Sequence, residues 1–128
     1  PLELDEGDDD LKLSAAGARL VLADLNTEGL EEVAAALRAA GAELIIQRCD
    51  VSVESDSATL VSAGVDTFGA IDIAINNAWI STPLKALIDT EEADLDLNFA
   101  VNTKGVFFGM KYQIRQMLAQ GGGHADAY

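Results

Sequence analysis

The sequence predicts an α/β fold built on a small parallel sheet. Three short apolar runs, at residues 20–23, 44–46 and 71–75, have the length and composition of buried strands. The segments between them have helical spacing and suit helices of about ten to fifteen residues, which is typical of strand–helix–strand units. Crossovers of this kind are right-handed and make the strands parallel. The carboxyl ends of the three predicted strands are therefore expected to share one edge of the sheet.

The helix predicted after the first strand has the clearest signals at both ends. Asn26 or Thr27 supplies an oxygen that caps the helix start, and Gly41 supplies its stop. Its apolar face repeats at spacings of three and four, and the members are Leu30, Val33, Ala34 and Leu37. The same signals predict further helices over residues 11–16, from Ser52 or Ser55 to Phe68, and from Thr90 to about Ala119.

The balance of charges excludes several classes of partner. Eight Lys and Arg stand against 22 Asp and Glu, and the resulting net charge of −14 repels nucleic-acid backbones and anionic membranes. No apolar stretch reaches the roughly 18 residues of a membrane span. The single Cys49 and the single His124 form no metal-ligand pattern, and the acidic head lacks the spacing of a calcium loop. We expect a soluble, cytoplasmic protein that binds no metal, nucleic acid or membrane.

Composition divides the chain into three parts. Six of the first ten residues are acidic and none is basic, so residues 1–10 are predicted to form a solvated tail. Residues 11–123 carry all the predicted strands and helices and are expected to form one partial α/β domain. Residues 124–128 are predicted to be a second, short tail.

Polar side chains stand at the carboxyl ends of all three predicted strands. They are Asp24, Asp50, Asn76 and Asn77. In open α/β sheets ligands bind in the crevice outside this edge, so the four residues form a candidate binding site. The alternative is that these polar residues only mark the points at which strands give way to loops.

Four short strings along the chain carry a family resemblance. They are Leu22-Ala23-Asp24-Leu25-Asn26, Cys49-Asp50-Val51-Ser52, Ile73-Ala74-Ile75-Asn76-Asn77-Ala78 and Val101-Asn102-Thr103-Lys104-Gly105-Val106-Phe107. Through these strings and their order, residues 11–123 resemble the short-chain dehydrogenase/reductase family. The resemblance implies a three-layer, Rossmann-like fold. It also implies NAD as the cofactor and hydride transfer between its nicotinamide and a secondary alcohol or ketone.

The resemblance further implies roles for individual residues. Asp24 matches the acid that binds the adenosine ribose and favours NAD over NADP. Asp50 and Val51 match two residues that lie beside the adenine ring. A motif that steadies the sheet and lines the cofactor cleft is matched by Asn76, Asn77 and Ala78.

Asn102 matches the catalytic asparagine of the family, which helps to hold a water in the proton relay. A second interpretation comes from helical spacing, which places Asn102 on one face with three apolar residues, Leu95, Phe99 and Val106. On that interpretation Asn102 is a buried structural amide that must find hydrogen-bond partners and that bends the long helix beside Gly105.

Several departures from the family pattern bear on activity. The family's phosphate-binding glycines are expected near residues 4 and 6, where Leu4 and Glu6 stand among acids that oppose a pyrophosphate. The strand before that loop would precede residue 1. Tyr112 has Gln116 four places on where the catalytic pair requires lysine. Trp79 occupies a glycine position at the cofactor's edge and is interpreted as a core or interface aromatic.

Two hypotheses of function follow, and they belong to different classes. The chain is an NAD-dependent short-chain oxidoreductase by lineage that is inactive in isolation, or it is a non-catalytic, self-associating fragment with at most weak binding of adenosine nucleotides. A homo-oligomer is expected through the long helix, because its apolar residues between Phe99 and Met117 exceed what one sheet can cover. The equivalent helix forms a subunit interface in the family. A complementing chain that supplies the missing half is a further hypothesis.

Overall fold

The structure, a computed structural model, describes residues 9–127, and the side chains of residues 11–124. Helices and strands alternate in the order α1 (Asp9–Ala15), β1 (Leu20–Asp24), α2 (Thr27–Ala39), β2 (Leu44–Arg48), α3 (Glu54–Phe68), β3 (Ile73–Asn76), α4 (Glu92–Asn98), α5 (Val106–Gln120) and β4 (His124–Ala127). A short 3-10 helix covers Leu87–Asp89, and a π-helix covers Phe99–Gly105. The predicted tail over residues 1–10 lies outside the described residues except for its last two, which begin α1.

Within the described residues the chain forms two compact units that divide after Cys49, where one domain over 11–123 was predicted. In the first unit β1 and β2 pair in parallel, with Leu20 opposite Leu44 and Asp24 opposite Arg48. Helix α2 covers these strands. The apolar core of this unit consists of Leu20, Leu22, Leu30, Ala34, Leu37 and Leu44.

The ends of α2 agree with the sequence prediction. Asn26 is the N-cap, and its Oδ1 accepts a hydrogen bond from the Gly29 backbone N at 3.1 Å. Gly41 follows the helix with a φ of 92°, a left-handed conformation that glycine adopts without steric cost. The predicted apolar face is right except at Val33, which is exposed, because the buried stripe is only wide enough for Leu30, Ala34 and Leu37.

In the second unit β3 pairs in parallel with β4, with Ile73 opposite His124 and Asn76 opposite Ala127. Residues 124–127, predicted as a tail, therefore form a strand. Backbone hydrogen bonds to β3 specify this strand although its small and polar side chains show no strand pattern. The single sheet expected for three strands is found as two two-stranded parallel sheets, β1–β2 and β3–β4.

The long helix predicted from Thr90 to Ala119 is found as three consecutive segments, α4, the π-helix and α5. Its N-cap is Glu91, one residue after the predicted cap Thr90, because Glu91 and Asp94 form a reciprocal capping box. The caps predicted for α3 at Ser52 or Ser55 are wrong, since Val53 precedes the helix and gives it no side-chain hydrogen bond. The helix ends at Phe68, as predicted, and Gly69 follows it in a left-handed conformation.

Among the helices of residues 9–127, none combines the length and the apolar character that a bilayer crossing needs. Within the described part of the chain, His, Cys, Asp and Glu side chains form no group that could hold a metal ion.

Candidate functional site

Asp24 is the last residue of β1 and is exposed. Its Oδ1 accepts a hydrogen bond from the backbone N of Asn26 at 2.8 Å, so the carboxylate also shapes the short turn into α2. The backbone O of Asp24 accepts a hydrogen bond from Cys49 N at 3.1 Å. The carboxyl ends of β1 and β2 therefore meet, and the Asp24 carboxylate lies at that edge beside the N-terminus of α2.

Asp50 shapes the loop that leads into α3. Its Oδ1 accepts hydrogen bonds from the backbone N of Ser52 at 3.0 Å and from Ser52 Oγ at 2.6 Å. The Asp50 backbone N donates to Asp56 Oδ2 at 3.0 Å. This is the self-bonded turn typical of aspartate before a helix. Val51 packs against Gly105, where an added Cβ would lie 2.8 Å from Val51 Cγ2. Both residues thus have structural contacts of their own.

Asn76, at the end of β3, pairs with Gln113 of α5 through two reciprocal hydrogen bonds. Asn76 Nδ2 donates to Gln113 Oε1 at 2.8 Å, and Gln113 Nε2 donates to Asn76 Oδ1 at 2.9 Å. Gln113 is only 8% exposed. Each amide gives the other one donor and one acceptor, so the two side chains form a closed two-bond ring. The structure therefore shows Asn76 fixing the strand to the helix.

Asn77, Ala78 and Trp79 follow β3 and are all exposed. Trp79 is 63% exposed, so its interpretation as a core aromatic is wrong, whereas an interface role stays a prediction. These three residues form an open segment at the carboxyl end of the strand, which is where the sequence places the lining of a cofactor cleft.

Asn102 lies within the π-helix and is exposed, contrary to its predicted burial. The seven-residue π-helix shifts the helical register, so the face deduced for a regular helix does not hold. Its side chain nevertheless makes two hydrogen bonds with the backbone of Ile80. Asn102 Oδ1 accepts from Ile80 N at 2.9 Å, and Asn102 Nδ2 donates to Ile80 O at 2.8 Å. A π-helix that ends at Gly105 is found where the bend was predicted, and the bend itself stays a prediction.

Comparisons with known proteins identify the family. A sequence model described as enoyl-(acyl carrier protein) reductase matches residues 11–125. The chain is also 33% identical to a short-chain dehydrogenase/reductase from Burkholderia phymatum solved in complex with NAD, with a TM-score of 0.88 over 91% of this chain and 42% of that one. The chain belongs to the short-chain dehydrogenase/reductase family. The predicted Rossmann-like α/β class is thereby confirmed.

Other members of the short-chain dehydrogenase/reductase family agree. The chain is 38% identical over 112 residues to 2-(R)-hydroxypropyl-CoM dehydrogenase of Xanthobacter autotrophicus, covering 85% of this chain and 45% of that protein. The crystal structure of a levodione reductase matches with 34% identity and a TM-score of 0.87, covering 92% of this chain and 46% of that one. The chain thus spans less than half the length of the relatives it matches.

Asp24 of this family member has the chemistry to meet the ribose end of a dinucleotide. Asp24 Oδ1 has a backbone partner, and no hydrogen bond or ion pair engages Oδ2 within residues 9–127, so the carboxylate can accept from ribose hydroxyls. Leu4 and Glu6, at the positions expected for the phosphate loop, lie outside the described residues. An acid within about 4 Å of a phosphate opposes binding by about 1 kcal/mol in water and about 4 near a protein surface.

The carboxyl groups with clearly shifted pKa values lie away from the candidate residues. A hydrogen bond from Lys111 at 2.7 Å lowers the pKa of Glu54, and the Tyr112 hydroxyl at 3.1 Å lowers it further. A hydrogen bond from Lys85 at 2.6 Å lowers the pKa of Asp94. Both are exposed ion pairs, which contribute little to stability.

The structure places Asn76, Asn77 and Ala78 at the end of β3 and directly after it, and Asn102 bonds to Ile80, two residues beyond Ala78. Asp50 and Val51 are in the same unit but lie in the loop before α3. Asp24 belongs to the first unit. Sequence reasoning missed Gln113 and Gln120, whose amides bond to Asn76 and to the backbone of Ile71. A signal was present, because Gln113 shares an i, i+4 stripe with Gly105, Gly109 and Met117, all of which are buried.

Proposed function

We propose that this chain provides part of the nucleotide-binding half of an NAD-dependent oxidoreductase that transfers hydride between a nicotinamide and a secondary alcohol or ketone. The observation that carries the proposal is the exposed Asp24 carboxylate at the carboxyl end of β1, beside the start of α2. A carboxylate at this place accepts hydrogen bonds from a ribose 2′-hydroxyl and repels a 2′-phosphate, which selects NAD over NADP. The NAD-bound Burkholderia phymatum relative supports this choice of cofactor.

The roles of the other residues are proposed as follows. Asn77 and Ala78 line the cleft at the end of β3, while Asn76 and Asn102 fix the backbone on either side of them. When bound, NAD supplies the hydride acceptor. Tyr112 donates toward Glu54 and has no lysine four residues on, so it is no candidate general acid. We therefore propose that these 128 residues alone are inactive in hydride transfer.

A titration tests the cofactor proposal. NADH and NADPH are added separately, and Trp79 fluorescence and saturation-transfer NMR follow binding. NADH is expected to saturate the chain in the micromolar to millimolar range, whereas NADPH binds at least about tenfold more weakly, a difference of about 1.4 kcal/mol. Asp24→Asn should remove most of this preference.

The matched control is Asp66→Asn, because Asp66 is exposed on α3 and lies outside the candidate residues. This variant removes the same charge and should leave the preference for NADH intact. Equal binding of NADH and NADPH to the unaltered chain would refute the role of Asp24, and absence of saturation by either would refute the cofactor proposal.

A second candidate function is self-association through the outer side of α5. Phe107 is 61% exposed and Leu118 is 77% exposed, with Ile114 between them on the same side of the helix. Clusters of exposed large apolar side chains on one helix mark interaction surfaces. We propose a homo-oligomer, and light scattering at micromolar concentration should show more than one copy. Phe107→Ser should shift the protein toward monomer, whereas Ala119→Ser should not. A monodisperse monomer of the unaltered chain would contradict this candidate.

A further inference from the structure

Three side-chain amides from the C-terminal helical segments each hold the β3 region through a two-bond clamp. Gln120 accepts from Ile71 N at 3.0 Å and donates to Ile71 O at 2.6 Å. Gln113 makes the reciprocal pair with Asn76, and Asn102 makes it with the backbone of Ile80. We call Asn102, Gln113 and Gln120 the amide ladder. Its three clamps lie before β3, at its end and after it.

The spacing of the amide ladder fixes the position of β3 along α5. Gln113 and Gln120 are about two helical turns apart and share a side of α5. Since a helix is rigid along its axis, β3 cannot slide along α5 without breaking both hydrogen bonds of each clamp. The segment 77–79 lies between the clamps at Asn76 and Ile80, and its place is thereby fixed at both ends.

Gly109 provides independent support for the middle clamp. An added Cβ at Gly109 would lie within van der Waals overlap of Asn76 Oδ1 and 3.4 Å from Gln113 Nε2. The amide pair therefore occupies the space above this glycine. Gln113 is buried, so removing its amide would break both hydrogen bonds that it makes with Asn76 in a poorly hydrated place.

We infer that Gln113 is a positioning residue for the nucleotide site, acting through Asn76 to fix the segment 77–79 at the carboxyl end of β3. The inference rests on the proposed function for the site itself. A glutamine that only stabilised the fold would leave this segment unmoved when its pairing is altered in a folded protein. A positioning glutamine would move the segment whenever its pairing with Asn76 changes.

The variant Gln113→Glu converts the pairing into a pH-dependent one. The protonated acid can donate to Asn76 Oδ1 and accept from Asn76 Nδ2, which restores the two-bond ring. The ionised acid sets a carboxylate against Asn76 Oδ1 and breaks it. The folded state therefore favours the protonated form and raises the pKa of the introduced acid above its unfolded value near about 4.3. The pairing is present at low pH and is lost as pH rises through the folded pKa.

The experiment follows the indole resonance and emission of Trp79, the one tryptophan of the chain, from roughly pH 5 to pH 8, above the ordinary glutamate value. Gln113→Glu is expected to match the unaltered protein at the low end and to shift its Trp79 signals as pH rises, while far-UV circular dichroism stays constant. Gln47→Glu, which adds the same charge in the first unit, should show no such transition. Trp79 signals that stay at the unaltered values at every pH would overturn the inference.

Two further measurements keep the outcome decisive. If Gln113→Glu fails to fold at any pH, Asn76→Asp puts the acid on the other partner, and the same Trp79 transition is required of it. NADH titrations then separate this inference from the proposed function. Between pH 6 and pH 8 the NADH dissociation constant of Gln113→Glu should rise about tenfold more than that of the unaltered chain. The unaltered amide pair has no titrating group and cannot produce this difference. An unaltered chain that binds no NADH refutes the proposed function, while the Trp79 transition still decides the positioning role.

Discussion

The two units of this protein are held together in different ways. The first unit buries leucines and Ala34 between α2 and the β1–β2 pair, and its core is entirely apolar. In the second unit the buried residues include Ser57, Gly64, Gly105, Gly109 and Gln113, with Met117 beside them. There the large apolar side chains of α5, such as Phe107 and Leu118, are exposed instead.

This difference shows two separate ways to pack a helix against a strand. One is the burial of apolar side chains between them, and the other is the close approach of their backbones. Leucines fill the space between α2 and its sheet, and the hydrophobic effect supplies the stabilisation. Gly109 on α5 allows the helix backbone to come near β3, so that the Gln113 amide reaches Asn76 and bonds to it. In the second unit the large apolar side chains Phe107 and Leu118 of α5 stay exposed.

The largest effect is expected for leucine truncation in the first unit. Leu37 is 1% exposed, and Leu37→Ala should lower the free energy of unfolding by about 2–5 kcal/mol, since it removes buried methyl groups and leaves a cavity. The matched change in the second unit, Leu118→Ala, should alter it by less than about 0.5 kcal/mol. Urea denaturation measures both. Equal losses would show that the two units do not differ in the way described.

The second-largest effect is expected from a substitution that hinders the close approach of α5 to β3 in the second unit. Gly109→Ala should destabilise by about 1–3 kcal/mol, because its methyl group overlaps Asn76 and must displace the amide pair. In the Asn76→Ala background the same change should cost much less, since the overlapping oxygen is gone. A double-mutant cycle by urea denaturation measures this coupling. Additive losses would mean that the pair does not occupy the space above Gly109.

A smaller effect is expected at the start of α2. Asn26→Ala should lower stability by about 1 kcal/mol, because the Gly29 backbone N–H loses its side-chain acceptor. Thr27→Ala, one residue further along, is the control and should leave the cap intact. Amide hydrogen exchange in α2 reports the change locally, and similar exchange in the two variants would contradict the assignment of Asn26 as the cap.

The smallest effect on stability is expected from the exposed Lys111–Glu54 ion pair of the second unit. Lys111→Met should raise the pKa of Glu54 toward its ordinary value, since the largest cause of its lowering is the hydrogen bond from Lys111. A lowered carboxyl pKa stabilises the folded state above the unfolded pKa, and this contribution is lost as pH falls through the folded pKa. Carboxyl-carbon NMR titration of Glu54 measures the change. Lys104→Met is the control, and an unmoved Glu54 titration in Lys111→Met would exclude the pair.

The first unit could be predicted from sequence almost in full. Its strands, the cap at Asn26 and the stop at Gly41 are confirmed, because each depends on residues close to one another in the chain. In the second unit, the features that depend on contacts between residues distant in sequence were not predicted. The strand at 124–127 is specified by its pairing with β3, and the π-helix interrupts a pattern that reads as one regular helix.

The candidate site shows the same division. Sequence motifs located Asp24, Asn77 and Ala78 at strand ends, and the structure keeps them there, exposed. The predicted burial of Asn102 is wrong, because helical periodicity cannot anticipate a π-helix. The roles of Gln113 and Gln120 went unpredicted, since a polar residue on a helix shows its partner only when the chain is folded.

By itself, the sequence determined the alternation of helices and strands, the acidic character of the chain and its family, because these follow from local composition and from short motifs. Only the tertiary structure decided which strands pair, which side of α5 is buried and which amides clamp β3. Those choices depend on hydrogen bonds between residues tens of positions apart, and their geometry exists only after the helices and strands have packed.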